Sequence, residues 1–394
     1  MRLTARILTS AVATMFWWGP AARSQEQQWL QYRAAAGARQ VVPDMGYQDA
    51  EPSPAKPPGI KLPPFRSGRP LFLVWRTPMV ASGRIWMAFD QSNAGGDYDR
   101  LYLDANANGD LSDDPVYQPF QHDSSLCLFG PVKIVFEGPD GLITYHLSME
   151  VRTYPQQIYC LLSPAGWYEG QISVGGVKKR CLLIDHNVNG TFNDKSRDYN
   201  QSDRIRIGEP ADIEGGAVGN YVEVDNKLYK VDMARDGAYV VLSEAKDVPY
   251  GTVRLAENIA TLVVSGENGS FIRKPEKGSA RLPVGTYQVN SWSILRKDDA
   301  GARWEMKGTF PQGGPHGGLT VVPDKEISIP FGEPIYSTVR VSKSGSEYTF
   351  NQRLEGRHGE RIVLTRNGSQ PPAPRLRITN KEGTYDRSVS SAYG

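Results

Sequence analysis

The stretch Leu101-Tyr102-Leu103-Asp104-Ala105-Asn106-Ala107-Asn108-Gly109-Asp110-Leu111-Ser112-Asp113 begins as a short β-type run and passes directly into turn-forming residues. Eighty-one positions later the pattern returns as Leu182-Leu183-Ile184-Asp185-His186-Asn187-Val188-Asn189-Gly190-Thr191-Phe192-Asn193-Asp194. In both copies Asp-x-Asn-x-Asn-Gly follows the strand-like run, and a further aspartate stands four residues past the glycine. An internal repeat is the simplest origin. Each loop is therefore expected to hang from a strand.

Working outward, short β-type runs separated by turn signals continue through the chain, at 71–75, 85–89, 132–136, 143–149, 158–162, 221–224, 227–231, 238–242, 348–354 and 361–364. Hairpin turns are expected at Gly138-Pro139-Asp140-Gly141, Asp236-Gly237 and Lys381-Glu382-Gly383. No amphipathic pattern of three helical turns follows residue 70. Residues 25–39 read as a short helix, and the prolines of 43–70 as an extended linker. Breaks fall near Val248-Pro249-Tyr250-Gly251 and at 330–334. The fold class is mainly β and multidomain. An antiparallel β-sheet domain at 71–250 carries both loops, followed by a β-sandwich-like module at 251–332 and a C-terminal β module at 333–394, these last two making either one sandwich or two. The segment Arg281-Leu282-Pro283-Val284-Gly285-Thr286-Tyr287-Gln288-Val289, a turn feeding an alternating strand, is similar to prealbumin-like or Ig-like sandwich modules.

Composition supports this reading. Glycine and proline together make 68 of 394 residues, about 17 per cent, against about 12 per cent in average proteins. Hydrophobic residues at 39% and charged residues at 22% exclude wholesale disorder. The net charge of +2 argues against a dedicated nucleic-acid binder. At the N-terminus, Arg2 and Arg6 precede a largely apolar stretch at 7–18, then Gly19-Pro20 and the small residues Ala21, Ala22 and Ser24. This is the order of a secretory signal peptide, with cleavage between Ser24 and Gln25. The stretch is shorter than the roughly twenty apolar residues of a membrane span, and no later one is long enough, so no membrane span is expected. A secreted or periplasmic location follows. Cleavage would leave 370 residues with 42 basic and 43 acidic side chains, a balance of −1. Cys127, Cys160 and Cys181 read either as buried hydrophobes or as one disulfide with a spare thiol.

The repeated loops resemble the calcium loops of EF-hand and dockerin-type proteins, which implies Ca²⁺ at two sites. Calcium takes six to eight oxygens, supplied by side chains at loop positions one, three and five and a carbonyl at seven, with glycine at six allowing the bend. The corresponding residues are Asp104, Asn106, Asn108 and Asp110, then Asp185, Asn187, Asn189 and Thr191, with Asp113 and Asp194 as further carboxylates. Leu111 and Phe192 at position eight would point into the core. Two departures stand out. Position twelve is Pro115 or Ser196 where the family has a bidentate glutamate, and a strand enters where the family has a helix. Asp113, Asp194, Asp114, Asp198 and Asp203 are the candidates for the missing carboxylate. With two asparagines per loop, affinity is expected near 10⁻⁴ to 10⁻³ M, in order of magnitude. The competing reading is a pair of metal-free turns built by Asn, Asp and Gly.

Other chemistry is sparsely represented. The five histidines His122, His146, His186, His316 and His358 form no zinc spacing, and no nucleophile-elbow motif is present. His186 is expected to be exposed. Asp97 and Asp99 stand upstream as possible outer charges for the first loop. Trp75, Trp86, Trp167, Trp292 and Trp304 are expected in the core and not on a carbohydrate platform. A glycan at the sequon Asn189-Gly190-Thr191 would exclude calcium there. The expected function is a non-catalytic calcium-binding β-protein with a protein or glycan partner at a surface; the alternative is an extracellular hydrolase with structural calcium.

Overall fold

The computed structural model describes residues 26–123, 125–138, 141–208, 216–310 and 317–390. The expected export segment with its cleavage point, Pro139 and Asp140 of one expected turn, and His316 lie outside them. Strand accounts for 56% of the structure and helix for 2%, in several antiparallel sheets.

The N-terminal unit arises because alternating runs bury one face each. Leu126–Gly138 alternates so that Phe129, Val132, Ile134 and Phe136 point inward. It pairs with Gly141–Tyr154, which pairs in turn with Gln157–Pro164. A second sheet joins Gly166–Val174, Val177–Ile184 and Arg204–Ile207. A third joins Leu71–Arg76, Arg84–Asp90 and Arg100–Leu103, and a fourth is the meander Tyr221–Val224, Lys227–Met233 and Tyr239–Glu244. All four sheets feed one hydrophobic core, centred on Trp75, Met87, Phe89, Tyr145, Leu183 and Phe192. The runs expected from sequence coincide with or fall inside these strands, except that 238–242 begins one residue before Tyr239–Glu244; several strands extend further than the runs because exposed polar positions continue the ladders.

The segment expected to be a helix and linker is neither. Gln28–Trp29 pairs with the meander and Gln31–Ala34 with Gly166–Val174, so the N-terminal residues are edge strands. The helix is only Ala38–Val41. Past it, Asp44 makes ion pairs of 3.1 Å and 2.9 Å to Arg204 and Arg206, and Gln48–Ala50 pairs with Gln157–Pro164. Proline blocked helix as expected, yet the extended backbone it favours docks on neighbouring strands.

The C-terminal unit is a β-sandwich. One sheet contains Ile259–Gly266, Gly285–Lys297, Arg303–Thr309 and Arg361–Arg366; the other contains Ser279–Pro283, Tyr250–Arg254 and Glu326–Ser328, with the last pair parallel. Their core includes Leu262, Phe271, Leu282, Tyr287, Trp292 and Phe331. Because Arg303–Thr309 pairs with Arg361–Arg366, strands on either side of the break expected at 330–334 share one sheet. The strand Lys227–Met233 serves both units: Tyr229, Val231 and Met233 join the first core and Leu228 joins the second. The three cysteines are free and buried, so the disulfide alternative is set aside. Burial pushes each thiol up to about 12.

Trp75 ties two sheets to the second loop. It is fully buried, stacks on Tyr145 at 5.4 Å between ring centres, and donates its indole N–H to the Val188 carbonyl at 2.6 Å. Trp75→Ala is expected to cost about 3–5 kcal/mol of stability in urea unfolding; a cost under about 1 kcal/mol would contradict this placement.

Candidate metal centres

Each loop leaves the end of a strand, Arg100–Leu103 or Val177–Ile184. Their backbones match residue for residue. Ala107 and Val188 have φ of 56° and 58°, and Gly109 and Gly190 have φ of 81° and 92°. Asp104 accepts from the Asn108 and Gly109 N–H groups, both at 3.0 Å. Asp185 likewise accepts from Asn189 at 3.2 Å and Gly190 at 2.7 Å. Asn108 Oδ1 accepts from the Asp110 N–H and its amide donates to Asp113 at 2.8 Å. Asn189 repeats this, with Thr191 N–H as donor and Asp194 as acceptor at 2.6 Å. Leu111 and Phe192 are both buried. The two loops thus share torsions and hydrogen bonds at these positions.

The surroundings differ. The first loop lies under the proline-rich segment, where the Lys61 N–H donates to the Gly109 carbonyl and Lys61 Nζ lies 2.6 Å from Asp110. That ammonium holds the Asp110 carboxyl down to about 2. Asn106 accepts from the Asn108 N–H at 3.0 Å and is exposed. Asp114 faces Asp104, Asp113 and Asp110; desolvation first and these charges second push it up to about 6.

The second loop enters the main core. Asp185 is fully buried and also accepts from the Tyr145 hydroxyl at 2.9 Å. Asp203, also fully buried, accepts from the His186 N–H at 3.0 Å and the Asp194 N–H at 2.8 Å. The amides of Asn187 and Asn189 and the Thr191 hydroxyl converge on one oxygen of Asp194, at 3.0, 2.6 and 2.7 Å. Desolvation pushes Asp185 up to about 7 and Asp203 well above the usual carboxylate range, and repulsion among Asp185, Asp194 and Asp203 adds to both. No cationic side chain is among the hydrogen-bond partners described for the Asp185 and Asp203 carboxylates; Arg204 Nη1 donates to the Asp203 backbone carbonyl, at 3.4 Å.

Among the five candidates for the extra carboxylate, Asp113 and Asp114 accompany the first loop and Asp194 and Asp203 the second. Asp198 instead caps the short helical turn Tyr199–Gln201. Asp97 bonds His122 at 2.9 Å, and Asp99 accepts from the Ser92 N–H within the preceding turn. His186 is not exposed: its Nδ1 lies 2.9 Å from the Asp44 carbonyl oxygen, and burial lowers its pKa. Asn189 has its amide engaged within the loop, against its role as a glycan acceptor. Trp75, Trp167 and Trp292 are buried. Sequence reasoning missed Tyr145, Trp75, Thr77 and Lys61 around the loops. Tyr145 lies in the expected run 143–149, but no pattern in the sequence joins it to Asp185.

Among the described residues, no three His, Cys, Asp or Glu side chains form a group able to hold a metal by themselves. A hard cation here would also need amide and carbonyl oxygens, as calcium uses. The residues present suit that requirement: Asp114 Oδ2 and Asn187 Oδ1 are buried oxygens with no hydrogen-bond partner, one beside each loop. Comparison of the chain with protein-family models, curated proteins and solved structures finds no match.

The two glycines should respond differently to a methyl group. At Gly109 an added Cβ would meet nothing closer than 3.7 Å, so Gly109→Ala is expected to cost only the left-handed strain of about 1–2 kcal/mol. At Gly190 the Cβ would lie 2.9 Å from Met79 Cγ and 3.2 Å from Thr77 Oγ1, so Gly190→Ala is expected to cost more. Equal losses in denaturant titration would contradict this difference.

Proposed function

We propose that this is an exported, non-catalytic β-protein that binds Ca²⁺ in its two loops and uses the ions to complete its N-terminal unit. The first site would draw on Asp104, Asn106, Asn108, the Asp110 carbonyl and Asp113 or Asp114. The second would draw on Asp185, Asn187, Asn189, the Thr191 carbonyl and Asp194, with Asp203 alongside. One observation carries the reading: the Asp185 and Asp203 carboxylates are fully buried beside Asp194 and receive N–H and O–H donors, with no cationic side chain among their described partners. Such a group requires either protons or a bound cation. Calcium, when bound, would supply positive charge to these oxygens; the chain's own contribution is to fix them from two distant segments. A surface role for the C-terminal β units, with a protein or glycan partner, belongs to the same proposal.

Calorimetric titration of the chelated protein with calcium is expected to show two sites, both lost in an Asp104→Ala, Asp185→Ala double variant. At free calcium ten times the dissociation constant, each site adds about 1.4 kcal/mol of stability. No heat and no rise in melting temperature at saturating calcium would refute the proposal.

The pH dependence has a defined sign. The fold raises the Asp185 pKa from 3.8 to about 7, so its stabilising protonated form is favoured at low pH and that contribution is lost as pH rises from about 4 to about 7. Without calcium, the wild type is expected to lose stability relative to Asp185→Asn across this window. With calcium the loss is reversed, because the cation replaces the proton. A stability difference between the two proteins that stays constant with pH would contradict the assignment.

A further inference from the structure

The sheet formed by Leu126–Gly138, Gly141–Tyr154 and Gln157–Pro164 turns Met149, Val151, Cys160 and Leu162 into the N-terminal core. The alternate positions form its other face. There Glu150 stands opposite Leu161 and Arg152 opposite Tyr159, with Tyr154 beyond them at the end of its strand. These residues and the turn residues Pro155 and Gln156 line a hollow of about 720 Å³, within the range of about 300–1,000 Å³ for small-ligand sites. A second hollow of about 270 Å³ adjoins it at Glu150 and continues past Ser148 and Leu128 to Phe120. From Tyr154 to Ser148 the groove follows six residues of strand, or about 20 Å. None of these residues belongs to either loop.

The lining combines flat apolar surface with hydrogen-bonding groups. Tyr154 and Tyr159 meet edge to face, with ring centres 5.6 Å apart and planes at 84°, yet they stay 47% and 46% exposed. Beside them Arg152 Nε donates to the Glu150 carboxylate, and the Tyr159 hydroxyl donates to Gln157 at 2.6 Å. Glu150 and Arg152 are the charged residues lining the larger hollow, so their charges cancel. The smaller hollow adds Arg39, whose guanidinium lies over the Tyr47 ring at 5.2 Å from its centre.

We propose that this groove binds a neutral oligosaccharide. A pyranose ring offers a C–H face to aromatic surface and hydroxyls that both donate and accept. The tyrosine corner matches the first; the Glu150 carboxylate, the Arg152 guanidinium and the amides of Gln156 and Gln157 match the second. A wholly apolar ligand would cover Glu150 and Arg152 without replacing their hydrogen bonds to water, and a ligand carrying net charge of either sign would be repelled by one member of that pair. The length of the groove selects a chain of sugars over a single ring. The two tyrosines are also diagonal neighbours across the hairpin and would steady its end, so the test separates binding from stability.

Calorimetric titration of the purified protein with cellohexaose, chitohexaose and maltohexaose, neutral probes of extended and curved shape, tests the site. At least one should bind, more tightly than the disaccharide of the same linkage and with an affinity insensitive to salt. Tyr154→Ala and Glu150→Ala should each weaken that binding about tenfold or more, whereas Tyr154→Phe, which keeps the ring, should retain it. Glu150→Ala leaves the aromatic pair in place, so it gives the reading even if Tyr154→Ala lowers the melting temperature. Binding of none of the three probes, binding that both alanine variants leave unchanged, or binding that falls steeply with added salt would overturn the proposal. So would an apolar fluorescent probe that enters the groove and is displaced by none of the sugars.

Discussion

The carboxylate of Asp185 is the point at which the N-terminal unit converges. It lies fully buried at the end of Val177–Ile184, receives two N–H groups of its own loop, and takes the hydroxyl of Tyr145 from another sheet. Tyr145 stacks on Trp75 of a third sheet, and Trp75 returns a hydrogen bond to Val188 in the same loop. Three sheets thus meet around one ionisable group. A charge in such a position is costly unless something compensates it, and its neighbours Asp194 and Asp203 deepen the cost. The loop's geometry, its core contacts and its electrostatics are therefore one problem.

The two loops solve the same backbone problem in different settings. Matching torsions and hydrogen bonds follow from matching Asp, Asn and Gly positions. Burial does not follow. Leu111 packs in a small satellite cluster with Phe72, Ala88 and Tyr102, whereas Phe192 packs in the main core. In the first loop Lys61 neutralises Asp110; in the second the clustered carboxylates stand without a described cationic partner. Two loops of matching sequence can therefore sit in one more exposed and one more buried setting.

Much of the fold was legible because half-buried strands carry a two-residue period. The turns at Asp236-Gly237 and Lys381-Glu382-Gly383 also stand where the strands require them. The region before residue 71 was misread because proline density shows that backbone is extended without showing whether it is docked. Ser53, Lys61 and Asp44 find partners only once the neighbouring strands exist. Whether the pieces on either side of 330–334 make one sandwich or two was not legible for a related reason: Arg303–Thr309 and Arg361–Arg366 are adjacent in space and distant in sequence.

The sequence by itself determined the β class and the Asp, Asn and Gly positions that shape the two loops, because these depend on local periodicity and on spacings of a few residues. Tertiary structure alone decided which loop is buried, that Asp203 and not Asp198 accompanies Asp185, and that a tyrosine and a tryptophan from other sheets complete its surroundings. Those choices depend on contacts between residues far apart in the chain, where desolvation and the repulsion of nearby charges arise only after the sheets have packed.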